Sequence, residues 1–147
     1  MAAGLQGNLY ILFPICLNIV EKVPYEMKKI LVADDSQFMR NWLKSILAEL
    51  SFTVVAEAEN GLEAIKQYKE YYPDVIIMDI MMPVMDGIKA LKEILRINPC
   101  AKVIMCSSIG TKYHIIEALQ IGAKDFVVKP YFHNLPLILK NILLSAS

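Results

Sequence analysis

The stretch VIIMDIMMPVMDG, residues 75–87, decides the fold prediction for this chain. The four apolar residues at its start predict a strand that is buried on both faces. Pro73 precedes this run, and a turn containing Pro83 and Gly87 follows it. Strands of this kind are typical of parallel sheets that are covered by helices on both sides. The stretch therefore predicts an α/β fold whose central strand ends at Asp79.

Outward from this strand, short apolar runs alternate with helical patterns in both directions. The predicted strands cover residues 30–33, 53–58, 75–78, 102–106 and 126–128. The predicted helices cover residues 36–50, 61–72, 88–97, 112–121 and 133–144. Five such units predict a doubly wound, five-stranded parallel sheet with five helices. Ligands of these folds bind outside the carboxyl ends of the strands, so the residues that follow the strands are the candidates for function.

The composition excludes several classes of function. The chain carries 15 basic and 15 acidic side chains, so it lacks the excess of positive charge that binding to a nucleic acid backbone requires. Its three cysteines have no metal-ligand spacing, and its two histidines are scattered, so a zinc site is not predicted. We expect a cytoplasmic protein with reduced thiols and no direct contact with nucleic acid.

The first 26 residues differ from the rest of the chain. The apolar run at residues 10–20 is too short for a membrane span, which needs about 18 or more apolar residues. A secretory signal begins with positive charge, but the first lysine is Lys22. We therefore predict no membrane segment, and divide the chain into an N-terminal extension, 1–26, and one domain, 27–147. The extension is either not native, with Met27 as the natural start, or a hydrophobic arm that is disordered or docks on the domain or a partner.

Polar residues follow directly after the predicted strands, namely Asp34, Asp35, Asp79, Ser107 and Lys129. Because parallel strands end at one edge of the sheet, we expect these side chains to converge. Three carboxylates at close range repel one another unless a cation lies among them. Lys129 balances one charge, and a hard divalent ion such as Mg²⁺ suits carboxylate oxygens. A carboxylate in such a site can accept a phosphoryl group as an acyl phosphate, with Ser107 as a hydrogen-bond donor to it.

Each of these residues also has an ordinary structural explanation. The two acids after the first strand can favour the dipole of the next helix, and the acid after the third strand can be a turn residue. Asp86 and Gly87 form a turn signal, which we interpret as no more than that. The joint occurrence of the charged residues at alternating strand ends favours the functional interpretation over these separate ones.

Four motifs resemble the receiver domain of two-component response regulators. They are LVADD at 31–35, MDIMMPVMDG at 78–87, VIMCSS at 103–108 and GAKDFVVKPY at 122–131. The resemblance spans residues 29 to about 144, and AEAENG at 56–61 is particularly similar to the single-domain chemotaxis regulators of this family. It implies a flavodoxin-like fold with the strand order 2-1-3-4-5.

The resemblance also implies a phosphoacceptor and its metal ligands. Asp79 is the expected phosphoacceptor and a ligand of Mg²⁺ or Mn²⁺. Asp35 is expected to bind the ion directly, Asp34 through water, and Met81 through its backbone carbonyl. Met81 and Ile109 occupy the positions that flank the attacking water during dephosphorylation. Both are apolar and cannot orient that water, so we expect a long-lived acyl phosphate.

Three further residues are implied to transmit the signal. Lys129 is expected to pair with the phosphoryl group, Ser107 to move toward it as the switch hydroxyl, and Phe126 to turn inward when Ser107 moves. Serine stands where threonine is frequent in the family, and phenylalanine where tyrosine is frequent. The hydroxyl is therefore kept at the first position and absent at the second. The Lys129–Pro130 bond is implied to be cis.

The resemblance implies a phosphorylation-operated switch that catalyses only its own phosphorylation and dephosphorylation. The expected donor is a sensor histidine kinase, and the expected output surface for a downstream protein is the fourth helix, fifth strand and fifth helix. The apolar last helix either has a broad buried face or serves as a contact surface for a partner or a phosphorylation-dependent homodimer. A stand-alone regulator is our first reading, because little sequence follows that helix.

Three other functions are weighed against this reading. The alternative is the receiver piece of a longer regulator with a DNA-binding or other effector domain. A hydrolase that forms an aspartyl phosphate generally has two aspartates separated by one residue and a cap insertion, and this chain shows neither. A degenerate receiver that serves as a scaffold is disfavoured, because the acidic and basic site residues are all retained.

Overall fold

Strands and helices alternate along the chain in the computed structural model, which describes residues 28–108 and 112–144. The strands are β1 (Lys29–Ala33), β2 (Thr53–Ala58), β3 (Val75–Asp79), β4 (Val103–Ser107) and β5 (Asp125–Val128). The helices are α1 (Gln37–Glu49), α2 (Gly61–Tyr71), α3 (Gly87–Ile97), α4 (Lys112–Ile121) and α5 (Leu135–Leu144). All the predicted elements are present, and their ends shift by one or two residues at most.

The strands pair in parallel in the order β2-β1-β3-β4-β5, which confirms the predicted doubly wound sheet. Every residue of β3 and β4 is buried. Successive side chains of β3 enter different cores, because Ile76 packs with residues of α2, α3 and α4, whereas Ile77 packs with residues of α1 and α5. Burial on both faces explains why the strand sequence is a continuous apolar run.

Three helices begin at polar caps. The side chains of Ser36, Asn60 and Asp86 each accept a hydrogen bond from the backbone N–H three residues later. These bonds satisfy N–H groups that have no partner within the first turn of a helix. The interpretation of Asp86 as a turn signal alone is wrong, because this side chain starts α3.

The helices α4 and α5 both leave apolar side chains exposed. Ala118 is buried in α4, but Tyr113 on the same helix is 88% exposed. α5 buries Leu135 and Leu139 completely, while Leu137 is 60% exposed. The last helix therefore has both a buried apolar face and an exposed one.

Residues 1–27, 109–111 and 145–147 lie outside the described part of the chain. The division into 1–26 and 27–147, and the role expected for Ile109, therefore stay predictions. Within the described residues, no helix is long and apolar enough to cross a membrane.

Candidate functional site

The carboxyl ends of the central strands meet at one edge of the sheet. Ala33 at the end of β1 pairs with Met78, which places Asp34 beside Asp79 at the end of β3. Asp79 pairs with Cys106, so Ser107 comes next on β4. Ser107 in turn pairs with Val128, the last residue of β5 before Lys129. The register of four parallel strands thus brings the predicted residues to one place.

Three carboxylates lie together at this edge. Asp34, Asp35 and Asp79 each place one oxygen within 4.8 Å of the others. Asp34 is 1% exposed and Asp79 is 5% exposed, whereas Asp35 is open to solvent. Hard divalent cations are bound by such oxygen sets, and they usually keep some water ligands, which the open side of the cluster allows. The donor set fits Mg²⁺ or Mn²⁺ by its chemistry.

Lys129 contributes the positive charge of the cluster. Its Nζ lies 2.6 Å from Oδ2 of Asp34 and 3.1 Å from Oδ2 of Asp79. Burial lowers the Lys129 pKa, but the contact with Asp34 and the charge of Asp79 outweigh it, so the pKa is raised overall. The ammonium group is therefore charged at neutral pH. The Lys129–Pro130 peptide bond is cis, which confirms the prediction for this bond.

Asp79 is held in an environment that disfavours its charge. Its pKa is raised from the usual 3.8 to about 6. Burial is the main cause, and the charges of Asp34 and Asp35 add to it, while Lys129 acts in the opposite direction. One ammonium group does not offset burial and two neighbouring acids, so a further positive charge would favour the ionised carboxylate.

Ser107 and Phe126 lie on the β4 and β5 side of the site. The Ser107 side chain is 1% exposed, and its Oγ has no hydrogen-bond partner within the described residues. Phe126 pairs with Met105 on β4 and is 36% exposed, so its ring is not enclosed in the core. The neighbouring thiol of Cys106 is buried, which raises its pKa to about 12 and makes it unreactive at neutral pH.

The loop between β3 and α3 is folded tightly against Asp79. The N–H of Gly87 donates to the carbonyl oxygen of Ile80 at 2.8 Å. A Cβ atom at Gly87 would overlap the carbonyl oxygen of Asp79, so only glycine lets α3 start this close to the strand. Met81 lies between these anchors with its side chain 57% exposed. Its carbonyl as a metal ligand stays a prediction.

A family model for the response regulator receiver domain matches residues 30–140, which is most of the chain. The chain belongs to the response regulator receiver family. Two curated relatives carry the name chemotaxis protein CheY. That of Bacillus subtilis is 55% identical over 103 residues, covering 70% of this chain and 86% of that protein. That of Thermotoga maritima is 51% identical over 104 residues, covering 71% of this chain and 87% of that protein.

Solved receiver structures share the fold. The crystal structure of the CheX-CheY-BeF₃-Mg²⁺ complex from Borrelia burgdorferi matches with a TM-score of 0.76 and 33% identity, covering 80% of this chain and 90% of that one. The response regulator domain of Thermotoga maritima CheB matches with a TM-score of 0.72 and 40% identity, covering 82% of this chain and 98% of that one. This chain is thus a CheY-like receiver, a phosphorylation-dependent signalling domain.

One residue of this receiver was missed by the sequence analysis. Arg40 is 6% exposed, and its Nη1 donates to the backbone carbonyl oxygen of Asp34 at 2.7 Å. It occupies the same buried face of α1 as Leu43 and Leu47. A charged residue at the apolar spacing of a helix is the signal that could have identified it, because a buried arginine requires nearby acceptors.

Proposed function

We propose that the chain is a stand-alone, cytoplasmic CheY-like switch in which Asp79 accepts a phosphoryl group. The observation that carries this proposal is the geometry around one buried carboxylate. Asp79 lies within 4.8 Å of the oxygens of Asp34 and Asp35, and Lys129 bridges Asp34 and Asp79 at 2.6 and 3.1 Å. Three negative groups and one positive group leave a net charge that one divalent cation would neutralise.

Asp34, Asp35 and Asp79 would hold Mg²⁺ or Mn²⁺, together with the backbone carbonyl of Met81. The bound ion would supply charge neutralisation to the oxygens of the transferring phosphoryl group. Lys129 lies against Oδ2 of Asp79 and would stay close to the phosphoryl oxygens after transfer. The roles assigned to these residues rest on their proximity and on the family to which the chain belongs.

The transfer step is a displacement at phosphorus. An oxygen of the Asp79 carboxylate forms the new P–O bond while the P–N bond to the imidazole of a histidine kinase breaks. The electron pair of that bond stays on the imidazole nitrogen, which then takes a proton from solvent. Loss of the phosphoryl group to water regenerates the carboxylate. The domain catalyses these two steps on itself alone, and acetyl phosphate can replace the kinase as donor.

The side chain of Ser107 would convert phosphorylation into a conformational change. Its buried Oγ lacks a hydrogen-bond partner among the described residues, so a phosphoryl oxygen would satisfy a donor that is at present unsatisfied. A hydrogen bond to a charged group is worth about 1.5–3 kcal/mol. Such a gain shifts a two-state equilibrium by a factor of ten or more. Phe126, which is 36% exposed, would turn inward as Ser107 moves.

The surface formed by α4, β5 and α5 would carry this change to a downstream protein. It exposes Tyr113, Ile116, Phe126, Tyr131 and Leu137. Apolar surface of this kind marks contact sites for proteins, and a phosphorylation-dependent homodimer would use the same surface.

The apolar side chain of Met81, together with Ile109, would leave the attacking water poorly oriented and give a long-lived acyl phosphate.

Intact mass spectrometry tests the proposed phosphoacceptor. The full chain is incubated with acetyl phosphate and Mg²⁺, and we expect a mass gain of one phosphoryl group. The gain should vanish in Asp79→Asn and in the presence of EDTA. Asp74→Asn is the matched control, because Asp74 precedes the same strand at the opposite edge of the sheet and accepts a hydrogen bond from Lys29 N. A full mass gain in Asp79→Asn would show that the acceptor is elsewhere.

A further inference from the structure

Arg40 links the β1–α1 loop, which contains Asp34 and Asp35, to the end of β2. Besides its bond to the carbonyl of Asp34, its Nε donates to Oε1 of Glu57 at 2.9 Å. Its Nη2 reaches Oε1 of Glu59 at 3.4 Å. The planar guanidinium group can contact three acceptors in fixed directions. The β1–α1 loop is thus anchored to β2 by one buried side chain.

The carbonyl that Arg40 contacts belongs to the peptide unit between Asp34 and Asp35. A peptide unit is planar, so a hydrogen bond to its oxygen restricts the direction in which the next residue leaves. Asp34 is restrained on its other side as well. Its N–H donates to the carbonyl oxygen of Ala58 at 2.9 Å, and its Oδ1 accepts from the N–H of Ser36 at 2.9 Å. Asp35 is exposed, and its direction therefore depends on this backbone.

We propose that Arg40 is a positioning residue for the cation site. By holding the peptide unit between Asp34 and Asp35 against β2, it directs the Asp35 carboxylate into the cluster. This inference rests on the proposed function, because it takes the three acids as a Mg²⁺ site. Residues that orient metal ligands commonly change metal affinity by about 10–100-fold when they are replaced.

Two simpler roles for Arg40 predict different results. If Arg40 only stabilised the contact between α1 and β2, its loss would lower stability without changing the cation affinity of the folded protein. If it acted only through its positive charge, its loss would tighten cation binding, because like charges repel. Positioning predicts weaker binding, so the sign of the change separates the three roles.

Isothermal titration with MgCl₂ on the folded full-length chain measures this sign. The variants are Arg40→Gln, which removes the charge, and Arg40→Lys, which keeps it but lacks the planar set of donors. Lys44→Gln is the matched control, because Lys44 contacts the same carboxylate, Glu57, at 2.8 Å and its ion pair is with that residue rather than Asp34. Circular dichroism confirms that each variant is folded at the temperature of the titration.

We expect both Arg40 variants to bind Mg²⁺ about tenfold more weakly than the wild type, and Lys44→Gln to bind it unchanged. Binding by Arg40→Gln that is as tight as the wild type, or tighter, overturns the inference. An equal loss in Lys44→Gln also overturns it, because the effect would then belong to Glu57. If Arg40→Gln does not fold, Arg40→Lys alone decides between these outcomes. A wild-type chain that binds no Mg²⁺ would instead refute the proposed function itself.

Discussion

On the β1 side of the site, the loop with Asp34 and Asp35 is bound to its surroundings at several points, whereas on the β4 side Ser107 has an unsatisfied hydroxyl. The first loop is anchored by the hydrogen bonds of Arg40 to Asp34 and Glu57. The N–H of Asp34 also donates to the carbonyl oxygen of Ala58 on β2. Ser107 is as deeply buried as Asp34, but its Oγ has no hydrogen-bond partner within residues 28–108 and 112–144.

The neighbouring helices differ in the same way. α1 buries Arg40, Leu43 and Leu47 along one face. α4 buries Ala118, and its Tyr113 and Ile116 are exposed. A helix with few buried contacts opens and shifts at lower free energy than one that is packed along its length.

The difference indicates that the two sides of the site have different roles. On the β1 side the backbone that carries Asp34 and Asp35 is held by several hydrogen bonds, which is the rigidity that the proposed cation site would need. On the β4 side, the buried Ser107 hydroxyl without a hydrogen-bond partner among the described residues and the lightly packed α4 are the features on which the proposed response to phosphorylation depends. Lys129, which follows β5, contacts Asp34 after β1 and Asp79 at the end of β3, so it connects the two sides.

Removing Lys129 should have the largest effect, because it leaves buried acids without their ion partner. We expect Lys129→Met to lower the free energy of unfolding at neutral pH by about 3 kcal/mol without Mg²⁺. Lys44→Met serves as the control and should lose less than about 1 kcal/mol, because its partner Glu57 is about one third exposed. Urea denaturation measures both values. Equal losses in the two variants would contradict the central role of Lys129.

Asp79→Asn should stabilise the metal-free protein at pH 7. The folded-state pKa of Asp79, about 6, lies above its usual 3.8. The stabilising effect of the protonated carboxyl is therefore complete below 3.8, and it is lost as the pH rises through 6. Two pKa units correspond to about 3 kcal/mol. Lys129 loses one of its partners in the variant, so we expect a net gain of about 2 kcal/mol.

Urea denaturation in EDTA at two pH values tests this gain. Near pH 4 the wild type and Asp79→Asn should be almost equally stable, and near pH 7 the variant should be the more stable one. Asp74→Asn, at the opposite end of the same strand, is the control and should not be more stable than the wild type at pH 7. A variant that is no more stable than the wild type at pH 7 would show that Asp79 is not destabilised by its surroundings.

A pair of serine substitutions should give the smallest effects and the clearest contrast between the two sides. Ser36→Ala removes the cap of α1, a bond of 3.3 Å to the N–H of Met39, and should destabilise by about 1 kcal/mol. Ser107→Ala removes a hydroxyl that is buried without a hydrogen bond, and should leave stability unchanged or slightly higher. Thermal unfolding compares the two. A larger loss for Ser107→Ala would mean that its hydroxyl is satisfied in the free protein.

The fold could be predicted almost completely from the sequence, because its signals are local. A continuous apolar run identifies β3, and polar caps such as Asn60 mark where helices begin. The site residues could be found for a related reason. The carboxyl ends of parallel strands must meet, so residues that directly follow strands, such as Asp34, Asp79 and Lys129, were expected together and lie together.

Contacts across the tertiary structure could not be predicted in the same way. The acceptors of Arg40 are a backbone carbonyl six residues away, Glu57 on β2 and Glu59 just after β2, which no local pattern pairs with it. The role of Gly87 depends on how closely α3 approaches the carbonyl of Asp79, and that distance is set by packing. The lack of a partner for Ser107 is likewise a property of the packed protein.

We infer that the three acids tolerate one another because a cation and Lys129 offset their charge and prepare Asp79 for a phosphoryl group. Borohydride reduction of the phosphorylated chain, followed by peptide mass mapping, identifies the phosphorylated residue, because reduction converts an aspartyl phosphate to homoserine. We expect conversion at Asp79 that depends on Mg²⁺. Conversion at Asp34 or Asp35 instead, or equal conversion at Asp79 in EDTA, would contradict it.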